Sequence, residues 1–360
     1  MSAENAIREI GLTEAKRAIE KAIKIRRPVM LWGAPGLGKS EIIEQIAKSQ
    51  NRPVIDVRLA LWDPTDIKGI PYYDSNSGAM VWAPPAELPS DPDSNAILFL
   101  DELPNAAPSV QGSAFQLILN RRVGQYVLPK GVDIVAAGNR QSDRGCSYKM
   151  PTPLANRFIH LNIKPVFDDW LEWATENFVH PDVVGYVSFA KQDLHNFDPK
   201  SQSMSFPTPR SWYFVSELIK DGDLGVNSST LATLVSGAIG DGVALKFLAH
   251  RKIASKLPKP SDIIKGKVKT LETDEVSAMY SLVVSLCYEL KELHDNKAKN
   301  FHVACDNFLN YLMANMPTEI VVMAVKIALT TYKINLDPHK MTSFSDFHNR
   351  YGKFILQSMS

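Results

Sequence analysis

The sequence has few cysteines, no long apolar run and almost no net charge. Its three cysteines, Cys146, Cys287 and Cys305, are too few and too widely spaced for a disulfide framework or a zinc site. The eight histidines have no metal-binding spacing either. No stretch approaches the roughly 18 apolar residues of a membrane span, and the polar start 1–5 is not followed by the apolar part of a signal peptide. These absences predict a cytoplasmic protein without a membrane association.

The charge balance bears on the choice of partners. The 40 basic residues are matched by 39 acidic ones, so no overall field draws the chain to nucleic acid or to an anionic membrane. One local basic run contains Lys252, Lys256, Lys259, Lys265, Lys267 and Lys269. Such a run is typical of a solvated linker. The alternative is that it follows the phosphates of a nucleic acid.

Apolar strand-like segments alternate with helical patterns over the first 165 residues. The candidate strands are 28–32, 54–59, 96–100, 132–137 and 158–163. Strands that alternate with helices favour a parallel sheet covered on both faces. The predicted fold class is therefore α/β, a three-layer sandwich around a parallel five-stranded sheet. Two segments, 63–89 and 121–131, interrupt the alternation and carry turn residues between apolar positions, which indicates a hairpin in each.

Helical patterns dominate after residue 165. Residues 1–165 are predicted to form the α/β core, and residues 166–250 an all-helical lid. Residues 251–270 are rich in lysine, proline and serine and are predicted to be a linker, followed by a C-terminal helical region over 271–360. A chain of 360 residues with 45% hydrophobic residues is long and apolar enough for several domains.

A glycine-rich loop follows the first predicted strand directly, and a predicted helix begins at its end. The loop consists of Gly33, Ala34, Pro35, Gly36, Leu37, Gly38, Lys39 and Ser40. Its glycines allow successive N–H groups to point at phosphate oxygens, and the positive end of the helix dipole faces the same place. In this pattern the lysine reaches the terminal phosphates and the serine ligates Mg²⁺. The loop therefore predicts a binding site for ATP with Mg²⁺.

Three polar residues follow the ends of two other predicted strands. Asp101 and Glu102 come directly after the strand 96–100, and Asn139 lies just beyond the strand 132–137. We expect Asp101 to hold the coordination sphere of Mg²⁺ through water and Glu102 to act as general base on the attacking water. Asn139 is placed to orient that water, with a turn-forming asparagine as the alternative. Together these residues predict hydrolysis of the bound ATP.

Two arginines are candidates for stabilising the charge on the transferred phosphoryl group. Arg157 precedes the strand 158–163, and from there we expect it to reach the γ-phosphate of a neighbouring subunit. Arg210 follows Pro209 at the start of a predicted lid helix, which directs it at the same phosphates. The alternatives are a surface ion pair and an ordinary helix-end arginine. Further candidates for a contact between subunits are Arg140, Arg144 and Lys149.

The motifs of this chain resemble those of the AAA+ ATPases in order and spacing, over roughly residues 8–250. They are GAPGLGKS at 33–40, ILFLDE at 97–102, AAGNR at 136–140, LANRF at 154–158 and TPRSW at 208–212. The resemblance implies a sensor-one role for Asn139, an arginine-finger role for Arg157 and a sensor-two role for Arg210. The segments 63–89 and 121–131 resemble the helix-two insert and the hairpin before sensor one of the MoxR-like branch.

The resemblance also implies a homo-oligomeric ring, commonly a hexamer, that binds ATP between subunits and remodels a protein client. Tyr72, Tyr73 and Trp82 are candidates for gripping the client, and packing within the hairpin is the alternative, favoured for Trp82. Relatives often work with a von Willebrand factor A domain. This sequence has no Asp-x-Ser-x-Ser pattern, so such a partner on a separate chain is a hypothesis. Two other functions stay open, a nucleic-acid motor or loader and a slow ATP-dependent assembly switch.

Overall fold

The computed structural model of the chain describes residues 8–143, 148–201, 203–222, 224–225 and 227–359. The chain divides into two compact units. The first is Met1–Val166 with Phe197–Ser201, and the second is Phe167–Asn196 with Gln202–Ser360. Arg144, a candidate for a contact between subunits, and Cys146 lie outside the described residues.

A parallel sheet of six strands is the centre of the first unit. The strands of this unit are β1 (Glu9–Ile10), β2 (Val29–Trp32), β3 (Val54–Arg58), β4 (Ile70–Asp74), β5 (Ala79–Ala83), β6 (Ile97–Asp101), β7 (Arg122–Val123), β8 (Tyr126–Val127), β9 (Asp133–Gly138) and β10 (Ile159–Ile163). Its helices are α1 (Leu12–Lys24), α2 (Lys39–Ser49), α3 (Pro64–Lys68), α4 (Pro108–Asn120) and α5 (Thr152–Ala155). The order in the parallel sheet is β1-β10-β2-β9-β6-β3, and β4–β5 and β7–β8 are separate antiparallel pairs.

The predicted α/β class with a parallel sheet is confirmed, and the sheet has one strand more than the five that the sequence predicts. The additional strand, β1, lies at the edge and pairs with β10 through Glu9 and Asn162. A strand of two residues is too short for the alternating pattern by which strands are recognised in a sequence.

Alternation along the central strands distributes apolar side chains to both faces of the sheet. In β6, Ile97 and Phe99 belong to a buried cluster that includes residues of α1 and α2. Leu98 and Leu100 belong to another cluster, which includes residues of α4. Both faces are therefore covered, as the near-continuous apolar runs of a buried parallel sheet require.

Gly69 closes the base of the hairpin that β4 and β5 form. Its backbone has φ +89, a conformation that side chains other than glycine rarely adopt. A Cβ atom at this position would overlap the carbonyl oxygen of Ala83, so the available space also requires glycine. The β4–β5 hairpin therefore begins at a glycine with a restricted conformation, directly after α3.

A buried carboxylate joins three parts of the first unit at the start of β9. The side chain of Asp133 is 5% exposed and accepts from Arg26 at 2.9 Å and from Arg52 at 2.7 Å. Arg52 also donates to the carbonyl oxygen of Asn95, so the network ties the chain before β6 to the chain before β3. Burial of a charged carboxylate is favourable only while its cationic partners are present, and the mostly buried Arg52 depends on Asp133 in the same way.

We expect Asp133→Asn to lower the free energy of unfolding by about 3 kcal/mol, because two guanidinium groups lose the carboxylate between them. Urea unfolding of the variant beside the parent measures the difference. Glu14→Gln is the matched control, since its partner Arg8 and Glu14 itself are both exposed, and it should leave the urea midpoint unchanged. A change for Asp133→Asn no larger than that of the control would contradict a stabilising role for the network.

The second unit is built from helices. They are α6 (Phe167–Glu176), α7 (Pro181–Phe189), α8 (Pro209–Lys220), α9 (Ser229–Ile239), α10 (Asp241–Ala254), α11 (Pro260–Ile264), α12 (Val276–Asp295), α13 (Phe301–Asn315), α14 (Thr318–Lys326) and α15 (Phe344–Met359). One buried apolar cluster extends from α6 to α15. In the described ranges, no helix of either unit is both long and apolar enough to cross a membrane.

The segment 251–270 differs from the linker that the sequence predicts. α10 continues to Ala254, and α11 buries Ile263 and Ile264 in the common cluster. Pro260, which suggests an irregular segment, occupies the first helical position, where proline is well tolerated. The lysines of this segment are exposed on the side away from the core. Their number gives the segment the composition of a linker, although one face of it is buried.

The predicted lid, 166–250, and the predicted C-terminal region, 271–360, pack against each other in one buried cluster. α7 belongs to the first of these segments and α12 to the second. A Cβ atom on Gly185 of α7 would lie 2.6 Å from the Cα atom of Ser281 of α12, so the two helix backbones are in close contact there. The helices after residue 166 therefore form one compact unit around one core.

Candidate active site

The loop Gly33–Ser40 connects the end of β2 to the start of α2 at the carboxyl edge of the sheet. Gly36 and Gly38 have φ values of +75 and +89, which glycine adopts without strain. The Nζ atom of Lys39 donates to the carbonyl oxygens of Gly33 at 2.7 Å and Ala34 at 3.0 Å. The Lys39 side chain therefore closes the loop onto its own backbone at the start of α2.

Residues from two neighbouring strands meet this loop. Asp101 ends β6, and its Oδ2 atom lies 3.5 Å from the Oγ atom of Ser40. Asn139 follows β9, which lies between β2 and β6 in the sheet, and its Oδ1 atom accepts from the Nζ atom of Lys39 at 3.1 Å. The structure thus brings together Lys39, Ser40, Asp101 and Asn139, which the sequence separates by up to a hundred residues.

Glu102 has an unusual backbone conformation. Its φ of 56 and ψ of 28 lie in the left-handed region, which costs a residue other than glycine some conformational energy. Its N–H group donates to the Oδ1 atom of Asp101 at 2.8 Å, which holds the turn in place. Glu102 is exposed beside Asp101, so its carboxylate is accessible to a water molecule at the carboxyl edge of the sheet.

Carboxylate charge accumulates at this edge of the sheet. Asp56 of β3 lies on the strand next to β6, and its pKa is raised, first by partial burial and then by the negative charge of Asp101. Arg58 offsets part of this effect, and Glu44 adds to it. Among the described residues, no group of three or more His, Cys, Asp or Glu side chains is arranged to hold a metal ion, so Ser40 and Asp101 are the side chains that could hold a divalent cation beside the loop.

Arg157 is placed differently from the residues of the loop. It lies in the turn after α5, just before β10, where its N–H group donates to the carbonyl oxygen of Leu154 at 3.1 Å. Its side chain is exposed, and within the described ranges it makes neither a hydrogen bond nor an ion pair. The structure does not bring Arg157 to the loop of its own chain. β2 and β10 are parallel neighbours, and Arg157 precedes the start of β10, whereas the loop follows the end of β2.

Arg140 is used within its own chain. Its Nη1 atom pairs with Glu9 at 2.9 Å, and its Nη2 atom donates to the carbonyl oxygen of Ile163 at 2.8 Å. These contacts fasten the edge strand β1 to β10, which explains Arg140 without a second subunit. Lys149, the other described candidate from this loop, is exposed.

Arg210 belongs to the second unit, in the first turn of α8. Thr208 caps this helix, because its side chain accepts from the N–H group of Ser211 at 3.0 Å. The Arg210 side chain is exposed and has no ion pair with the described residues. The position at a capped helix start is the one that the sequence predicts.

The structure also reveals a contact that carries no sequence motif. The Nε1 atom of Trp32, directly before the loop, donates to the Nδ1 atom of His160 on β10 at 2.8 Å. Single tryptophan and histidine residues 128 positions apart give no signal in the sequence, since only strand register brings them together.

A parallel sheet and a loop with this geometry are typical of the P-loop nucleotide-binding fold. Within that fold, residues 28–158 match the family model described as AAA domain (dynein-related subfamily). The matched range contains the loop Gly33–Ser40, the two carboxylates, Asn139 and Arg157. The match supports an AAA domain in this segment, with ATP hydrolysis as its general kind of activity. The AAA+ resemblance is confirmed at that level, and the MoxR-like branch stays a prediction.

Individual proteins are similar to the chain at lower levels. Midasin of Giardia intestinalis is 26% identical over 177 residues, which are 47% of this chain and 4% of Midasin, so the chain spans only a small part of that curated relative. The RuvB Holliday junction branch migration motor of Thermotoga maritima has a TM-score of 0.37 and 16% identity, with 87% of this chain and 87% of that chain covered. NtrX of Brucella abortus in complex with ATP has a TM-score of 0.40 and 13% identity, with 95% and 68% covered.

Proposed function

We propose that the chain is a MoxR-like AAA+ ATPase that assembles into a homo-oligomeric, hexameric ring and uses ATP hydrolysis to remodel a protein client. The position of Arg157 is the observation that carries this proposal. β10 alone, from Ile159 to Ile163, separates the turn of Arg157 from the edge that holds the loop by about 13 Å. An exposed arginine with no partner in the described chain, on the edge away from its own loop, is suited to the ATP site of a second subunit.

The donor set of the site fits ATP with Mg²⁺. The hydroxyl oxygen of Ser40 and the carboxylate of Asp101 face each other, and such oxygens are the ligands that Mg²⁺ prefers. When bound, the ion offsets charge on the phosphates. Lys39 and the N–H groups of the loop bind the phosphate oxygens, and Glu102 takes a proton from the attacking water at its carboxylate.

The remaining residues position the water and stabilise charge. Asn139 holds the water near the terminal phosphate, and its contact with Lys39 places the amide beside the loop. Arg157 of the adjacent subunit and Arg210 of the helical unit stabilise the negative charge that spreads over the equatorial oxygens in the transition state.

The mass of the particle tests the ring. Glu102→Gln is the variant to use, because it is expected to keep ATP bound. With ATP it should form a particle of six chains of 40.0 kDa each, and without nucleotide a smaller one. A single-chain mass at every ATP and protein concentration would contradict a site that is completed by a neighbouring subunit.

The hairpin of β4 and β5 supports a protein client. Tyr72 is 51% exposed and Tyr73 is 68% exposed, on opposite faces of the hairpin. Trp82 is partly buried, and its backbone N–H group donates to the Oε1 atom of Gln125 in the β7–β8 turn at 3.0 Å. The two tyrosine side chains are therefore well exposed to a client, whereas the Trp82 side chain is only partly exposed. Exposed aromatic side chains with few rotamers are effective anchors for another protein.

Tyr73→Ser should weaken the stimulation of ATP turnover by an unfolded protein about tenfold, because an aromatic anchor is lost. The measurement is phosphate release against increasing concentrations of casein. Phe178→Ser removes an aromatic side chain of similar exposure, 65%, from the helical unit and should keep the parental stimulation. Equal stimulation of the Tyr73→Ser variant and the control would argue against gripping by this hairpin.

A second candidate function is movement on nucleic acid, favoured by the basic run between residues 252 and 269. All six of its lysines are exposed, and one, Lys267, is paired with Asp262. Stimulation of ATP turnover by DNA that falls steeply with added salt would support this function. Stimulation by protein alone would support the remodelling function, and the absence of both would leave the slow assembly switch.

A further inference from the structure

A hydrogen-bonded link crosses one face of the sheet between the two edges that carry the candidate catalytic groups. Trp32 donates from Nε1 to the Nδ1 atom of His160 at 2.8 Å, and the Nε2 atom of His160 lies 2.8 Å from the carbonyl oxygen of Ala155. The rings of Trp32 and His160 are nearly parallel, with centroids 6.1 Å apart. Phe158 packs edge-on against the same imidazole.

The chemistry of its two partners assigns the proton of His160. An indole N–H group is only a donor, so the Nδ1 atom of His160 must be the acceptor. A backbone carbonyl oxygen is only an acceptor, so Nε2 must carry the proton and donate to Ala155. His160 is therefore neutral in this arrangement, and one tautomer satisfies both partners.

At one end, the link holds the turn that carries Arg157. The carbonyl oxygen of Ala155 accepts from His160 and also from the N–H group of Phe158 at 3.2 Å. Ala155 is the last residue of α5, and Arg157 lies between Ala155 and Phe158, the two residues that the backbone hydrogen bond joins. The exposed guanidinium thus projects from a turn whose backbone is fixed from inside by an imidazole.

At the other end, the link begins directly before the ATP-binding loop. Trp32 is the last residue of β2, and the next residue, Gly33, donates its N–H group to the carbonyl oxygen of Gly138 at 3.3 Å and accepts from Lys39. A change in the loop therefore reaches Trp32 through one peptide bond. Hydrogen bonds that are partly shielded from water, as these are, hold their geometry better than exposed ones.

We infer that His160 is a positioning residue, which couples the ATP-binding loop of one subunit to the Arg157 side chain that the same subunit offers to its neighbour. The inference rests on the role proposed for Arg157. His160 is assigned no direct contact with ATP in its own subunit or in the neighbouring one, since it acts through the backbone of Ala155. It gives a subunit a means of adjusting hydrolysis in the adjacent site according to the state of its own loop.

His160→Phe should lower kcat by about tenfold to a hundredfold, because the turn of Arg157 loses its fixed position. The KM for ATP should stay within about twofold of the parental value, since the phosphate-binding groups of each site are retained. If His160 had a structural role alone, the variant would lose thermal stability, and kcat would not fall selectively while the KM for ATP stayed near the parental value. A raised KM with an unchanged kcat would overturn the inference.

Mixed particles show in which subunit the loss occurs. Glu102→Gln subunits have an intact Arg157 but no general base, and His160→Phe subunits have the base but a displaced Arg157. An equal mixture should recover about a quarter of the parental turnover, the share of sites with an intact base beside an intact Arg157 when subunits assemble at random. No recovery would overturn the inference, because the loss would then lie in the site of the altered subunit itself.

The same mixture with Arg157→Ala in place of His160→Phe separates this inference from the proposed function. If the Arg157→Ala mixture recovers and the His160→Phe mixture does not, the role of His160 is wrong and that of Arg157 stands. If neither recovers, Arg157 does not serve a neighbour, and both proposals are wrong.

Two conservative variants protect the test against a failure to fold. His160→Gln offers an oxygen to Trp32 and an N–H group to Ala155, so it should restore most of the turnover that His160→Phe loses. Trp32→Phe keeps an aromatic ring but removes the N–H donor together with part of the indole, and it should also lower kcat and recover in the same mixture. A glutamine variant as impaired as the phenylalanine variant would overturn the inference.

Discussion

Glu102→Gln should reduce ATP turnover by a factor of about 10²–10⁴ while ATP stays bound, because the amide cannot accept the proton of the attacking water. The substitution keeps the size and shape of the side chain. It also keeps the N–H group that donates to Asp101, and with it the left-handed turn at this position. The phosphate-binding loop is untouched. Phosphate release at saturating ATP and equilibrium binding of labelled ATP measure the two halves of this prediction.

Glu87→Gln is the matched control for this substitution. Glu87 is also exposed and belongs to the segment between β5 and β6, so the same change of charge occurs away from the loop. The control should turn over ATP at the parental rate. Hydrolysis by the Glu102→Gln variant at that rate would contradict the assignment of Glu102 as general base, and loss of ATP binding would show that it supports the site instead.

Arg157→Ala should lower turnover about a thousandfold in the assembled particle and leave the ATP affinity of isolated subunits unchanged, because the guanidinium acts on a neighbour. The geometry of β10 supports this separation, since Arg157 precedes the strand and the loop lies beside its other end. Turnover should be measured from protein concentrations below assembly to concentrations above it. The parent and the variant should have equal rates when dilute, and the variant should be slower once the particle has assembled.

Arg17→Ala removes an exposed arginine from α1 and serves as the control for the loss of positive charge. It should keep the parental turnover at each concentration. If Arg157→Ala lost activity equally where no oligomer forms, Arg157 would belong to the site of its own chain, and the ring would lose its main support.

The sequence predicts the parts of this molecule that depend on local patterns. Continuous apolar runs indicate the buried strands, and the loop 33–40 is recognised from glycines whose backbone function no other residue supplies. Asp101 and Asn139 can be placed near the loop from the sequence alone, because the carboxyl ends of parallel strands share one edge. The distances of 3.5 Å to Ser40 and 3.1 Å to Lys39 agree with that placement.

What the sequence could not predict depends on contacts between distant segments. β1 has only two residues, and it is a strand because Arg140 and β10 hold it there. The segment 251–270 resembles a linker in composition, yet Ile263 and Ile264 fold it onto the helical core. Trp32 and His160 acquire their relation from strand register alone, which local patterns do not report.

The central claim is that each ATP site is shared by two subunits, and a mixture of two inactive variants tests it most directly. Arg157→Ala subunits keep Glu102, and Glu102→Gln subunits keep Arg157. Purified separately, each should hydrolyse ATP at a small fraction of the parental rate. Mixed in equal amounts and reassembled, they should regain about a quarter of the parental turnover, since that share of sites then combines both groups. A mixture no more active than its components would contradict a shared site.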